Sequence, residues 1–598
     1  MSIRSGVLRW ACLFAAAWLA VPTVTEGFGA AGDLRLAALF SDYWERQMRN
    51  FPTWATYLGD HRYDSLLTDY SAEAQARRTA RMHSYLEQIN AIPLKDLSRA
   101  DSLNHMLFKR MLEDAIAGEV FQDELMPITQ QGGPPSDFAE LPTFHAMRNT
   151  ADVESYLARL RAFPTLVGQT IANLQEGMKA GLVPARITME MALPQIEALL
   201  VRDPRESILA VKAADLPAEL PEGERDRRVA EIRLAVRDFV MPPYRRLHRF
   251  IRDRYLRACR LEHGIWALPD GAARYHYLVR HYTTTDMTPE QIHELGKVEV
   301  GQIRSRMRQV LNTLNYRGSL GDFMNALRVN PRFYYSTPEE LMQGFRRILK
   351  AMDQKLPELF GRLPRQGYDL KELESYRAAS APAAYYYGAP DDGSRPGYFY
   401  VNTYRVDTRP KYTMEALAYH EAVPGHHLQL TIQQELEGLP DFRRHGGYTA
   451  FVEGWGLYSE QLPKEVGMYA DPYSEFGRLT FDAWRAARLV VDTGIHHFKW
   501  TREEAIAYMR ENTALSDVDI VSEVERYIAW PGQALAYKIG QIKISELRAL
   551  AQKTLRANFD IRAFHDELLS EGALPLDLLA QNMERWIQAE ERRIRLER

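Results

Sequence analysis

Three observations predict a mainly α-helical protein. Helix start signals recur along the chain, long segments carry apolar residues at helical spacing, and a single region has aromatic and β-branched runs around a turn, which is typical of strands. The composition is typical of a soluble globular protein, with 46% hydrophobic and 26% charged residues. Because the net charge is only −4 and no long run has one sign, we expect neither nucleic acid nor an anionic membrane surface as a partner.

The first 31 residues have the pattern of a signal peptide. Arg4 and Arg9 precede the apolar run "WACLFAAAWLAVP", and small residues follow up to Ala31, where cleavage is expected. The run is short for a membrane span, so we expect an exported, periplasmic protein with no stable membrane insertion after processing; an uncleaved anchor is the alternative. Cys12 lies inside the run, not after it as in a lipoprotein. Cys259, the remaining cysteine, is expected to be a buried free thiol.

Helices are predicted over most of the chain beyond the signal peptide. Long amphipathic stretches begin at "DVESYLARL" and "ERDRRVAEI", and three further helices open with a threonine cap and a glutamate or glutamine three residues later. These pairs are Thr288 with Gln291, Thr337 with Glu340, and Thr501 with Glu504. We place an N-terminal helical lobe at 32–270 and a metal-binding catalytic lobe at 271–598, in what is expected to be one continuous fold.

One region predicts strands and another predicts a loop. "APAAYYYGAPDDGSRPGYFYVNTYRV" has two aromatic runs around a Pro/Asp/Gly/Ser turn, which indicates a β-hairpin just before the histidine-rich helix. "PITQQGGPPSDFAELP" is predicted to be a loop from its proline and glycine content.

The stretch "HEAVPGHH" resembles a zinc-binding H-E-x-x-H helix with two extra residues between the histidines. Residues four apart on a helix lie within about 40° and about 6 Å of each other, whereas a six-residue step rotates by about 240°. His420 and His426 therefore cannot share one ion on a straight helix. Pro424 and Gly425 lie between them and predict a break that brings His426 back toward His420, with His427 as the alternative ligand.

Further ligands are expected from the next helix. Glu453 lies in "YTAFVEGWGLYSE" and is the predicted third ligand of a Zn²⁺ ion, with water in the fourth position. Glu421, beside the first histidine, would then take a proton from that water. Glu460 is the competing carboxylate, expected in a supporting or solvent-facing role.

Two other functions stay open at this point. Two histidines and a carboxylate also bind iron in oxygenases, although that class usually has a β-barrel. A non-catalytic metal- or peptide-binding protein is the second alternative, but a structural site has no need of Glu421 as a base. No G-x-S-x-G motif is present, which disfavours a serine hydrolase.

"HEAVPGHHLQ", "FVEGWGLYSE", "RLVVDTGIHH" and "PGQALAYKIG" resemble the bacterial family called domain of unknown function 885 over nearly the whole mature chain. That family is grouped with zinc metallopeptidases and is similar to the thimet oligopeptidase, angiotensin-converting enzyme and carboxypeptidase Taq families. The resemblance implies a two-lobed helical fold around a deep cleft, with a small β element beside the metal. It also implies hydrolysis of peptide or peptide-like amide bonds in short substrates, and it supports Glu453 as third ligand.

Residues that stabilise the oxyanion and bind substrate are predicted in the C-terminal half. In the helical relatives a tyrosine and a histidine act on the oxyanion, and the candidates in this chain are His496, Tyr537 and Tyr527. A substrate carboxylate would suit a guanidinium, and a peptide backbone would suit the second strand of the hairpin. The corresponding candidates are Arg488, Arg526, Lys538, Tyr400 and Asn402. Salt bridges to Asp492, Glu523 or Glu525 are the alternative for the cations, and cleft packing is the alternative for the aromatic strand.

Overall fold

The computed structural model describes residues 31–597 except 218–219, 374–377 and 379–381. Nearly all of the predicted signal peptide lies outside the described residues. The fold is mainly α-helical, as predicted, with one small mixed sheet. Among the described residues no helix has the length and apolar content needed to span a membrane.

The α-helices are α1 (Ala31–Asn50), α2 (Pro52–Leu58), α3 (Ala72–Asn90), α4 (Arg99–Glu119), α5 (Pro134–Phe138), α6 (Leu141–Phe144), α7 (Thr150–Ala180), α8 (Arg186–Ala198), α9 (Ile208–Val211), α10 (Glu222–Ala235), α11 (Met241–Phe250), α12 (Leu256–Ala258), α13 (Gly271–Thr283), α14 (Pro289–Thr313), α15 (Leu320–Val329), α16 (Pro338–Asp353) and α17 (Leu356–Leu359). The C-terminal set is α18 (Met414–Glu421), α19 (His426–Gln434), α20 (Asp441–Arg444), α21 (Thr449–Ser459), α22 (Leu462–Glu465), α23 (Pro472–His496), α24 (Arg502–Asn512), α25 (Asp517–Ala529), α26 (Ala536–Leu555), α27 (Ile561–Leu569) and α28 (Leu576–Leu596).

Short 3₁₀ turns are His61–Tyr63, Leu94–Asp96, Asp123–Leu125, Pro204–Glu206, Lys212–Asp215, Ile265–Ala267, Pro331–Phe333, Val406–Thr408, Lys411–Thr413, Gln533–Leu535 and Arg556–Asn558. Two π-helical segments, Val236–Val240 and Ile251–Tyr255, flank α11. The strands are β1 (Tyr368–Glu372), β2 (Ala384–Tyr387) and β3 (Gly397–Val401).

The predicted helix caps are present, with one difference. Reciprocal capping boxes open α14 and α24. At α16 the hydroxyl of Thr337 accepts from the Glu340 amide, but the Glu340 carboxylate accepts from the amide of Ser336 instead of closing a box with Thr337. The helix start was therefore predicted correctly, and the partner of Glu340 was wrong by one residue.

The sheet contains the predicted hairpin and one strand more. β2 pairs antiparallel with β3, and β1 pairs parallel with the other edge of β3 in the order β1-β3-β2. The predicted loop "PITQQGGPPSDFAELP" is only half correct, because α5 and the start of α6 occupy its second half. Pro134 stands at the start of α5, where a missing amide hydrogen costs nothing.

The hydrophobic core consists of several clusters, and the largest combines residues that are far apart in the sequence. Apolar residues of α1, α3 and α4 share a core with residues from 265 to 587, whereas residues from Ile128 to Cys259 form a cluster of their own. Cys259 is a buried free thiol, as expected. The lobe boundary near 270 and the deep cleft stay predictions. Helix α18, which carries the first histidine, packs against α21 and α23. These two helices in turn pair closely with α26 and α14, respectively.

Candidate metal centre

The helix that carries the histidines is broken where the sequence predicts. α18 ends at Glu421 and α19 begins at His426, with a cis Val423–Pro424 peptide between them. Gly425 is required at this corner, because a Cβ there would lie 1.9 Å from the carbonyl oxygen of His420. The break lets the two histidine rings meet with centroids 4.7 Å apart.

Helix α21 holds the corner and brings Glu453 to it. The indole Nε1 of Trp455 donates to the carbonyl oxygen of Pro424 at 3.0 Å, so the third-ligand helix is bonded directly to the break. A Cβ on Gly456 would lie 2.7 Å from the His420 ring, so glycine leaves room for the imidazole. Phe451, Trp455 and Tyr458 are fully buried, as expected for the packing side of this helix.

Three side chains converge on one point. The Nε2 atoms of His420 and His426 lie 3.5 and 3.3 Å from Oε2 of Glu453. One ligand atom from each of the three residues lies within 4.8 Å of the others. The structure thus brings together the three residues predicted to bind the metal.

The donor set and its spacing fit a zinc ion. Bonds of about 2.0–2.1 Å in a tetrahedron place ligand atoms about 3.3 Å apart, close to the two observed separations. Within the described part of the chain, the buried Oε2 of Glu453 has no hydrogen-bond partner. The side chains of Glu453 and His426 are 18% and 11% exposed, against 2% for His420, so the cluster is open on one side. A catalytic ion needs such an open position for water.

Glu460 and Arg485 support the first histidine. Oε1 of Glu460 lies 2.9 Å from Nδ1 of His420, which leaves Nε2 to face Glu453. Arg485 Nη2 lies 3.5 Å from the same carboxylate oxygen, and its guanidinium stacks on Trp484. Burial opposes protonation of His420, but the carboxylates of Glu453 and Glu460 outweigh it and raise the pKa of His420 to about 9. Burial opposes ionisation of Glu453, but the two imidazoles hold its pKa well below the usual range.

Glu421 lies at the end of α18, beside the cluster and against the sheet. The backbone amide of Tyr386 in β2 donates to Oε2 of Glu421 at 3.0 Å, so the predicted β element does lie beside the site. Burial raises the pKa of Glu421, opposed by the neighbouring histidines. The hydrogen bond from β2 holds one carboxylate oxygen in place and thereby orients the whole carboxylate of Glu421.

His427 is not part of the cluster. Its Nδ1 forms a hydrogen bond with the hydroxyl of Tyr386 at 2.9 Å, and its ring packs on Tyr368 with centroids 4.6 Å apart. Burial lowers the pKa of His427 to about 4. Of the two adjacent histidines, the structure therefore places His426 with His420 and Glu453, and gives His427 contacts with the sheet.

Tyr537 lies next to the metal ligands and is held by arginines. Its ring stacks on that of His420 with centroids 6.2 Å apart and planes 18° apart. Nη2 of Arg526 donates to its hydroxyl at 3.1 Å, and the guanidinium of Arg488 lies 4.2 Å from its ring centroid. Because the hydroxyl oxygen accepts from Arg526, its proton is left for another acceptor.

The other predicted oxyanion donors are occupied elsewhere. The His496 ring accepts from the amide of Ile265 and bonds the carbonyl of Tyr527, at 3.0 and 2.9 Å. The Tyr527 hydroxyl is buried and accepts from Trp484 and Arg488. Both ring nitrogens of His496 and the oxygen of Tyr527 thus serve the packing around α23.

The predicted substrate-binding cations are paired. Arg488 and Arg526 lie 2.9 and 3.5 Å from carboxylate oxygens of Glu523, which was the alternative stated for them. Lys538 is buried and bonds Asp482 at 2.7 Å. These charges stabilise the packing behind Tyr537.

Asn402 and Tyr400 belong to the sheet and its flanking loop. Asn402 is buried and its side-chain amide donates to the carbonyl oxygens of Ala378 and Pro382. Tyr400 is buried, stacked on Tyr385 with centroids 5.1 Å apart. Both residues therefore have contacts that a packing role explains, and their role in substrate binding stays a prediction.

Sequence reasoning missed several residues that build the centre. Tyr386 was seen only as part of a strand, and Trp455 only as a packing residue. Arg485 was not singled out at all. The glycine at 456 stood in the quoted motif "FVEGWGLYSE", and its position three residues after Glu453 was a signal for close approach of another group.

Comparison with known proteins adds a family and two related folds. The family model described as "Bacterial protein of unknown function (DUF885)" matches residues 52–583. A structure titled as that of a "putative lipoprotein" from Colwellia psychrerythraea is 30% identical, with a TM-score of 0.89 over 93% of this chain and 100% of that one. A second, described as a "putative lipoprotein of unknown function" from Shewanella oneidensis, is 19% identical with a TM-score of 0.67, over 92% of this chain and 99% of that one, and shows the fold alone. No curated protein matches the sequence.

Proposed function

The chain belongs to the DUF885 family of bacterial proteins, and we propose that it is an exported zinc-dependent metallopeptidase. Its substrates would be peptides or peptide-like amides, short ones in particular. The observation that carries the proposal is the convergence of His420, His426 and Glu453, with ligand separations of 3.3 and 3.5 Å. Glu421 directly follows the first ligand, and a potential general base at this position favours a hydrolytic metal site over a structural one.

His420, His426 and Glu453 would hold the ion, and Glu460 would keep the His420 imidazole in the tautomer that presents Nε2. A bound zinc ion would acidify water and polarise a substrate carbonyl. The carboxylate oxygen of Glu421 that does not bond Tyr386 would take the proton from the attacking water and pass it to the leaving amine. Tyr537, whose hydroxyl proton is left available by Arg526, would donate to the oxyanion.

Export is proposed from two observations. The first 31 residues have the basic, apolar and small-residue pattern of a signal peptide. The 30%-identical structure from Colwellia psychrerythraea is described as that of a "putative lipoprotein". Processing and a periplasmic location would place the enzyme where peptides are encountered outside the cytoplasm.

The test is the variant Glu421→Gln in the mature protein. We expect it to copurify with the same zinc content as the wild type, measured by elemental mass spectrometry. Its turnover of a mixed short-peptide library should fall by about 10²- to 10⁴-fold, because the general base is lost while the ligands remain. Equal turnover by the variant and the wild type would contradict the proposal.

Two controls accompany this measurement. Glu415→Gln alters a carboxylate on the same helix that bonds Tyr419 and not the metal cluster, so turnover should be preserved. Reconstitution of metal-free protein with zinc or ferrous iron separates hydrolysis from oxygen chemistry. Recovery of peptide cleavage with zinc supports the proposal, whereas dioxygen consumption with iron alone would favour an oxygenase.

A further inference from the structure

A cavity of about 400 Å³ lies between the N-terminal helices and the metal-binding half of the chain. Helix α4 forms one side, the end of α13 another, and the segment from α20 to the start of α21 the third. We call it the α4 cavity. Its volume is within the usual range for sites that bind small molecules.

The α4 cavity is connected to the metal centre through helix α21. Thr449, the first residue of α21, lines it, and Glu453 follows four residues later on the same helix. Residues four apart share a helix face and lie about 6 Å from each other. The cavity is therefore one helical turn from the third metal ligand, on the face that carries it.

Apolar groups cover much of the cavity. Leu107 and Met111 of α4 lie on one side, and Phe442 and Ala573 lie on the other. The lining also includes Gly446 and Gly447, which lack side chains and keep the space open. Such a surface suits an aliphatic or aromatic side chain of a peptide.

The ionised groups at the cavity are paired, with one exception. Arg110 bonds Asp577 at 2.7 Å, and Asp114 bonds His281 at 2.5 Å. Glu113 lies 3.6 Å from Lys109.

Arg280 is the exception. It is exposed, and its guanidinium makes no hydrogen bond or ion pair with any residue that the structure describes. Arg443 also lines the cavity, but it is buried and its guanidinium donates to the side chain of Asn104 and to the carbonyl oxygen of Glu571. An unpaired guanidinium beside an apolar cavity suits a carboxylate attached to an apolar group.

We propose that the α4 cavity is a substrate pocket of the metallopeptidase, binding an apolar side chain of a short peptide while Arg280 binds a carboxylate of the same peptide. This inference rests on the proposed function and names its substrate class. The carboxylate is either the peptide's C-terminus or an acidic side chain next to the apolar residue. Both present the same group to the guanidinium.

The test measures binding without turnover. The zinc-loaded Glu421→Gln protein is titrated calorimetrically with pentapeptides that contain one leucine. One pair ends in a free acid or an amide, and a second, amidated pair has glutamate or glutamine beside the leucine. We expect at least one acidic peptide to bind about tenfold or more tightly than its neutral partner.

Two substitutions in that background locate the binding. Arg280→Gln should remove the preference for the acidic peptide, while Arg280→Lys should keep part of it. Ala117→Leu places extra volume in the cavity from α4 and should weaken binding of acidic and neutral peptides alike. Arg308→Gln, an exposed arginine on α14 that makes no hydrogen bond or ion pair within the described ranges, is the matched control and should change nothing.

The outcomes separate the pocket from the enzyme. An unchanged preference in Arg280→Gln, unchanged binding in Ala117→Leu, or no binding of any peptide would each overturn the pocket. If zinc-dependent cleavage of library peptides by the wild type persists in those cases, the proposed function stands and only the substrate assignment fails. If the zinc-loaded wild type cleaves no library peptide, the proposed function itself is contradicted.

Discussion

The residue that orients the first ligand is Glu460. It is buried with His420 and bonds the ring nitrogen that faces away from Glu453. The sequence alone could not show whether Glu460 supports the metal site or faces solvent. Its position seven residues after Glu453 indicates only which side of the helix it lies on. The buried contact with His420 depends on how α21 packs against α18, which local pattern does not give.

Glu460→Gln should weaken zinc binding by about 10- to 100-fold, because an uncharged amide supports the imidazole less well than a carboxylate. Competition with a chromophoric chelator measures the affinity. Glu465→Gln, which removes a partly exposed carboxylate paired with Arg548, is the control and should leave affinity unchanged. An affinity for zinc in Glu460→Gln equal to that of the control would argue against the supporting role.

Tyr537→Phe removes the proposed oxyanion donor and leaves the ring stacked on His420. We expect kcat to fall by about 10²-fold with little change in KM or zinc content, because the hydroxyl would act in the transition state. Tyr469→Phe, a buried hydroxyl bonded to the Glu460 carbonyl, is the control. A proportional rise in KM with unchanged kcat would show instead that Tyr537 contributes to substrate binding.

At the level of elements, the two-part helix α18–α19 determines the geometry of the centre. The break was predictable because proline and glycine occupy the only two inserted positions. The route of the chain through the break was not, since it depends on Trp455 of another helix bonding the Pro424 carbonyl. The same distinction applies to the sheet: β2 and β3 were predictable from their aromatic runs around a turn, whereas β1 (YDLKE) has no aromatic run and joins the sheet by pairing with β3, which is not its neighbour along the chain.

Gly425→Ala tests the corner. An added Cβ would meet the carbonyl oxygen of His420 at 1.9 Å, and neither group is a flexible side chain. We expect a loss of about 1–3 kcal/mol in the free energy of unfolding and reduced zinc affinity, measured by denaturation and chelator competition.

Gly301→Ala is the matched control for the corner, because no atom lies within 4 Å of its added Cβ in α14. This helix-interior substitution should stabilise the protein by about 0.5–1 kcal/mol. A Gly425→Ala protein as stable and as zinc-avid as the wild type would refute the need for glycine at the break.

For the whole molecule, buried neutral histidines connect the fold to acid stability. His565 bonds the hydroxyl of Tyr458 and the carbonyl of Leu359, and burial lowers the pKa of His565 to about 3. In the unfolded chain a histidine has a pKa near ~6.5. Between these two values the unfolded state binds a proton that the folded state does not, so stability is retained above pH ~6.5 and falls as the pH drops toward 3.

His565→Gln should remove this one contribution. Between about pH 6.5 and pH 5 the wild type is expected to lose about 2 kcal/mol more unfolding free energy than the variant. Urea denaturation at several pH values measures the difference, and groups common to both proteins cancel. His83→Gln, an exposed residue, is the control. Parallel pH profiles for wild type and His565→Gln would show that this histidine does not contribute.

The large-scale arrangement was the least predictable part of the fold. Helix content followed from periodicity and caps, but the sharing of one core by α1, α3, α4 and the C-terminal helices joins residues hundreds of positions apart. Contacts at such separation leave no local signature. The α4 cavity arises from this arrangement, which is why no motif in the sequence pointed to it.

The central claim is that one ion is held jointly by His420, His426 and Glu453. The most direct measurement is anomalous diffraction at the zinc edge from crystals of the mature protein grown with stoichiometric zinc. The account predicts a single strong peak about 2 Å from both Nε2 atoms and from Glu453 Oε2. A peak elsewhere, or crystals in which these three side chains contact only one another in the presence of zinc, would contradict it.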